Sequence, residues 1–151
     1  MIWEEFKNSA PEMADIGRER FESTGIVIVG TLRANGYPRI SPVEPLFVDG
    51  HLYLGMMWNS VKAQDLLRDP RCTIHNSVAN RDGSDGEFKI YGRAIPILDL
   101  EQRERYRTAV YVKTQWRPTE PEFHLFSVDI ESVGIVAFSE EDMITRVWTP
   151  G

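Results

Sequence analysis

The chain has 151 residues, of which 42% are hydrophobic and 26% charged, with a formal net charge of −6. That balance suits one domain over residues 1–151, large enough to bury roughly two-thirds of its unfolded surface. Its 17 Lys and Arg residues are dispersed, which excludes a general nucleic-acid surface, and no run approaches the ~20 apolar residues of a membrane span.

In chain order, Ser9-Ala10-Pro11-Glu12 has capping-box spacing. It opens a helix whose stripe is Met13, Ile16 and Phe21 and which ends near Thr24-Gly25. Gly25 to Leu32 carries the β-branched run Ile26 to Val29 and reads as a strand. Asn35-Gly36 is a hairpin signal. Arg39 to Val48 returns, interrupted by Pro42 and Pro45, which cannot donate to a ladder and imply edges, a bulge or a bend. Asp49-Gly50 marks a second hairpin and His51 to Met57 the next strand.

From Ser60 to Asp69 the period changes. Val61, Ala63, Leu66 and Leu67 are spaced for a short helix, with Lys62, Gln64, Asp65 and Arg68 on the other side. Asn59 or Ser60 can cap it, and Pro70 lies beyond its end. Cys72 to Ser77 and Glu87 to Ile97 read as strands around the polar turn Asn80 to Gly86. Cys72, the one cysteine, lacks an intrachain partner and reads as a buried structural thiol. Asp99 can cap a helix to about Lys113, with Leu100, Tyr106, Ala109, Val110 and Val112 as an imperfect apolar face. Phe123 to Ile130, Gly134 to Phe138 and Met143 to Trp148 complete the expected strands.

The chemistry gathers between Gly30 and Asn76. Arg39 and Ser41 lie two apart on an alternating segment, so their side chains leave one face. Ser60 and Lys62 open the following helix, where unpaired N–H groups and a partial positive charge favour an anion. Two cation and hydroxyl pairs of this kind can converge on one phosphate.

The ordered set Pro38-Arg39-Ile40-Ser41-Pro42-Val43, Asp49-Gly50, His51-Leu52-Tyr53-Leu54, Ser60-Val61-Lys62-Ala63 and Leu66-Leu67-Arg68-Asp69-Pro70-Arg71 resembles the pyridoxamine 5′-phosphate oxidase-like flavin-binding proteins. The resemblance implies a mainly β fold with peripheral helices, a predominantly antiparallel split β-barrel. It implies an FMN-binding oxidoreductase that moves electrons or hydride from a reduced nicotinamide or small-molecule donor to an unspecified acceptor. By the same resemblance Arg39, Ser60 and Lys62 bind the flavin phosphate, Ile40, Ser41 and Pro42 pass the ring, and Met57 and Trp58 lie near the ribityl chain or phosphate. A homodimer with the cofactor between subunits is expected, and Trp116 or Arg117 is a candidate contributor from the second chain. F420 on the same barrel, or a noncatalytic flavin- or haem-binding module, are the alternatives. The ending Thr145-Arg146-Val147-Trp148-Thr149-Pro150 lacks an Arg-x-His element, which argues against pyridoxamine-phosphate oxidation itself.

Other site chemistries find little footing. His51, His75 and His124 are widely spaced with no Cys-x-x-Cys or His-Glu-x-x-His element, so no metal site is expected. Asp82 to Glu87 does not keep the ligand spacing of a calcium loop. No catalytic residue can be singled out. Met1-Ile2-Trp3-Glu4-Glu5 lacks the basic start and apolar run of a leader, and a cytoplasmic protein is expected.

Overall fold

The computed structural model describes residues 1–151. Two helices lead the chain. The first, α1 (Trp3–Ser9), is too short to leave a periodic signal and was not expected from the sequence. Trp3 and Phe6, three apart, are both buried, and the Glu5 carboxylate accepts the Ile2 N–H at 2.8 Å. The second, α2 (Pro11–Thr24), starts with Pro at its first turn but has no side-chain cap. Ser9 therefore does not form the expected capping box. It ends α1, and its hydroxyl accepts the Trp148 indole N–H at 3.1 Å. Gly25, at φ +70°, closes α2 in the left-handed conformation that glycine adopts without strain.

The strands are β1 (Val27–Leu32), β2 (Pro38–Val43), β3 (Pro45–Val48), β4 (His51–Met57), β5 (Arg71–Asn76), β6 (Glu87–Pro96), β7 (Phe123–Phe138) and β8 (Met143–Trp148). Helix α3 (Val61–Arg68) joins β4 to β5, and α4 (Leu100–Thr114) joins β6 to β7. Every pairing is antiparallel, in the order β2-β1-β5-β6-β7-β4-β3, with β8 also on β7. The two outermost strands, β2 and β3, are consecutive in sequence and separated only by Glu44, so the sheet must curl for the chain to pass between its ends. Pro42 and Pro45 sit in these edge strands, where a missing N–H costs least. The result is a mainly β split barrel with four helices around it.

The expected pair of strands after Phe123 is instead one strand of 16 residues. Its first part pairs with β4 through Phe123 to Ser127 and its last part with β8 through Val133 to Phe138, while β6 runs along the other side. Polar Glu131-Ser132 interrupts the apolar pattern without ending the strand, because it forms a bulge: Tyr91 pairs with Ser132 and Gly92 with Ile130, leaving Glu131 extra. A Cβ on Gly92 would lie 2.1 Å from the Asp129 carbonyl oxygen, so the close approach at this bend requires glycine.

The main core lies inside the barrel, where Val27, Val29, Leu52, Leu54, Ile74, Phe88, Ile90 and Phe126 are closed by Trp3, Phe6 and Phe21 from the leading helices. A smaller core of Leu46, Tyr53, Tyr106, Val110, Phe123 and Leu125 lies beneath α4. β4 is therefore buried on both faces, which explains why its apolar residues do not alternate cleanly. The face of α4 departs from expectation: Arg103, Tyr106 and Val110 are buried, whereas Leu100 and Val112 face outward. Burial pushes the Cys72 thiol up to about 12, consistent with an inert structural cysteine. No helix is long and apolar enough to cross a membrane.

Candidate functional site

β2 alternates as its sequence suggests. Arg39 and Ser41 lean inward and are half-buried, while Ile40, 76% exposed, and Pro42 face outward. Arg39 pairs across the ladder with Thr31 of β1, and both side chains meet one acceptor, Asp65 on α3. Asp65 was expected on the polar side of its helix, but it is only 2% exposed. Its Oδ2 accepts from Arg39 Nε at 2.7 Å and from Thr31 Oγ1 at 2.8 Å; its Oδ1 accepts from Arg68 Nη2 at 3.1 Å. Burial acts to raise the Asp65 pKa, but the hydrogen bonds from Arg39, Thr31 and Arg68 outweigh it and hold the carboxyl below its ordinary value. The carboxylate thus stays ionised and fixes the Arg39 stem from its Nε side. No protein acceptor takes the two Nη groups of Arg39.

The start of α3 lies beside this strand. Lys62 Nζ reaches the Pro42 carbonyl at 3.4 Å, a long contact from a side chain with its other donors free. Ser60 is the N-cap residue by backbone conformation, yet its side chain makes no cap bond. Its Oγ is buried without a hydrogen-bond partner, one of two such side-chain atoms in the protein. Buried polar groups are ordinarily satisfied, so an orphan hydroxyl at a helix N-terminus, beside a lysine, marks a place suited to an anionic ligand. Three cations, Arg39, Lys62 and Arg68, set against one carboxylate, Asp65, leave 3 − 1 = 2 formal positive charges. That is the complement of a phosphate monoester, which carries about −1.5 to −2 at neutral pH. The residues present therefore fit a phosphate-bearing cofactor.

Met57 ends β4, and Trp58 begins the turn to α3. Met57 is 80% exposed, and the Trp58 indole, half-exposed, stacks on His124 with centroids 4.6 Å apart and planes at 13°. Asn59 adopts φ +56°, and its N–H donates to His124 Nε2 at 3.2 Å. His124 carried no sequence signal, since it meets Trp58 only through the pairing of β4 with β7. Trp116 lies after α4 and is 58% exposed, so it is not a core residue, and it makes no side-chain bond to the Arg39 cluster. Arg117 instead pairs with Glu104. No group of three or more His, Cys, Asp or Glu side chains is arranged to hold a metal ion.

This is a split barrel with a cluster of cationic side chains where an edge strand meets a helix N-terminus. The family model described as pyridoxamine 5′-phosphate oxidase matches residues 14–137, most of the chain, and the protein belongs to that family. Among solved structures it is similar to a pyridoxamine 5′-phosphate oxidase homologue from Listeria innocua, at 16% identity and TM-score 0.67, over 80% of this chain and 95% of that one. It is also similar to a protein related to general stress protein 26 from Clostridium acetobutylicum, at 20% identity and TM-score 0.65, over 86% and 90%. A heme binding protein from Mycobacterium smegmatis shares 19% identity with TM-score 0.69, over 89% of this chain and 57% of that one. At these identities the likeness is one of fold. No curated protein matches the sequence.

Proposed function

We infer that the protein is an FMN-binding oxidoreductase that acts as a homodimer. The observation that carries this reading is the buried, partnerless Ser60 Oγ at the N-terminus of α3, the helix that also carries Lys62 and, through Asp65, holds Arg39 with its Nη groups unpaired. Arg39, Ser60 and Lys62 bind the phosphate, with the first N–H groups of α3 adding donors. Ile40, Ser41 and Pro42 pass along the ring. Met57 and Trp58 flank the ribityl chain, and their exposure leaves that side of the site open. Trp116, exposed at the end of α4, is assigned to the second subunit's site.

When bound, the flavin supplies the electron or hydride transfer. The chain's own part is to anchor the phosphate and orient the ring. No acid or base of this protein is assigned to the reaction. The electron donor is a reduced nicotinamide or a small reduced molecule.

The test is the visible spectrum of the purified protein, followed by anaerobic addition of NADPH. A flavin spectrum that bleaches supports an oxidoreductase; a flavin spectrum that does not respond to NADPH or to other reductants supports a passive binder. A Soret band, or binding of F420 in preference to FMN, would replace the cofactor.

A further inference from the structure

A second concavity lies where α2 and α4 both end. Its volume is about 300 Å³, at the lower end of the range that holds small organic ligands, and it shares no residue with the Arg39, Ser60 and Lys62 cluster. Leu46 of β3 and Val110 of α4, both buried, are its apolar walls. Tyr106 also lines it. That residue is 5% exposed and keeps its small opening at a hydroxyl that makes no hydrogen bond within the protein. A hydroxyl so nearly buried is ordinarily paired. Its position is fixed by β4: a Cβ on Gly55 would lie 2.1 Å from Tyr106 Oη, so glycine is needed there to seat it. Pro45 pairs with Leu54 across β3 and β4, which brings Glu44 opposite Gly55 and therefore to the same end as that hydroxyl. Burial, with the Glu44 charge adding to it, pushes the phenol up to about 12, so it stays protonated and can both donate and accept.

The remaining polar side chains of the pocket are either charged or acceptors only. Glu44 and Lys113 both line it, and neither makes an ion pair with the other or with any other residue. Thr24 Oγ1 donates to the Ile26 carbonyl at 3.0 Å and Thr114 Oγ1 to the Val110 carbonyl at 2.7 Å, so each hydroxyl has only lone pairs left. These threonines are the last residues of α2 and α4, whose C-terminal carbonyls add partial negative charge, and α2 has no basic residue in its last turn to offset it. An ammonium group therefore finds acceptors at Glu44, Tyr106 and the helix ends, while a carboxylate finds one cation, Lys113. A ligand with only a negative charge would face Glu44 and two helix C-termini. One with only a positive charge would leave Lys113 unpaired beside it.

We propose that this pocket binds free amino acids with an apolar side chain, the ammonium group on Glu44 and Tyr106 Oη, the carboxylate on Lys113 and the side chain against Leu46 and Val110. None of these groups is assigned to the flavin, so the pocket takes its ligand in the flavin-free chain as well.

Calorimetric titration of the full chain with L-phenylalanine, its amide and its N-acetyl derivative, at about pH 6 where each free amine is protonated, tests the assignment. L-Phenylalanine is expected to bind at least about tenfold more tightly than either derivative, since each derivative lacks one of the two charges. Substitutions separate the two ends. Glu44→Gln should weaken L-phenylalanine and the amide without weakening the N-acetyl compound, and Tyr106→Phe should act in the same direction. Lys113→Met should weaken L-phenylalanine and the N-acetyl compound without weakening the amide. Glu44 and Lys113 are both exposed, so neither of their substitutions threatens the fold. Equal binding of the three compounds, no saturable binding of L-phenylalanine, or losses in Glu44→Gln and Lys113→Met that do not follow this pattern would overturn the proposal.

Discussion

Arg39 Nε stands 2.7 Å from Asp65 Oδ2, and this contact joins an edge strand of the barrel to the helix that opens the candidate phosphate pocket. The carboxylate is almost wholly buried, whereas the arginine is partly open. Asp65 thus acts as an anchor: it immobilises one edge of the guanidinium and leaves the other for a ligand. A planar fork held in this way loses less rotamer freedom on binding than a free side chain.

Replacing Asp65 with Asn tests that anchor. The amide keeps the shape but loses the charge, and one of its two polar atoms becomes a donor facing Arg39, Thr31 or Arg68. Chemical denaturation should show a loss of about 1–3 kcal/mol, and FMN affinity should fall by about tenfold or more if Arg39 is bound through its Nη edge. Unchanged stability and unchanged affinity would remove the anchoring role.

The bend in β7 makes a separate prediction. Gly92→Ala places a methyl group against the Asp129 carbonyl, which is backbone and cannot swing away. Overpacking of this kind costs about 1–3 kcal/mol, to be read as a lower denaturation midpoint. Tyr91→Ala, one residue away but half-exposed, should cost much less.

Histidine protonation sets a pH dependence. His51 and His124 both have pKa values below 6.5, lowered first by burial; Arg105 adds to the effect at His51 and Arg103 at His124, while Asp49 and Glu5 oppose it at His51. The folded state therefore binds fewer protons than the unfolded chain. The stabilisation is fully present above the unfolded value and is lost as the pH falls through the folded values. The melting temperature should decline on acidification from about pH 7.5 to about pH 5, and His51→Gln with His124→Gln should flatten that decline. A slope that is the same in the double variant would contradict this assignment. The Asp65 contribution, with its pKa lowered, is lost at more acidic pH, as the pH falls from the ordinary carboxylate value through the lowered folded one.

Much of the fold follows from local rules. The Asn35-Gly36 and Asp49-Gly50 turns, the alternation of Arg39 and Ser41, and Pro42 and Pro45 in the edge strands β2 and β3 all stand where backbone chemistry places them. What was not legible depends on partners distant in sequence. Asp65 looked like one more polar residue on a helix's wet side, because helical period cannot reveal that Thr31 and Arg39 pack onto it. Glu131-Ser132 looked like a strand end because a bulge has no composition of its own. His124 and Trp58 meet only once β4 pairs with β7, and α1 has too few turns to display a period.

The central claim is that the Arg39, Ser60 and Lys62 pocket holds a flavin by its phosphate. Calorimetric titration of the flavin-free protein with FMN and with riboflavin, in the unmodified chain and in Arg39→Ala and Lys62→Ala, tests it most directly. FMN should bind the unmodified chain far more tightly than riboflavin. Each substitution should weaken FMN by about 10- to 100-fold, the worth of one charge-assisted hydrogen bond, while leaving riboflavin nearly unchanged. Equal losses for both ligands, or no preference for FMN in the unmodified chain, would contradict the phosphate role.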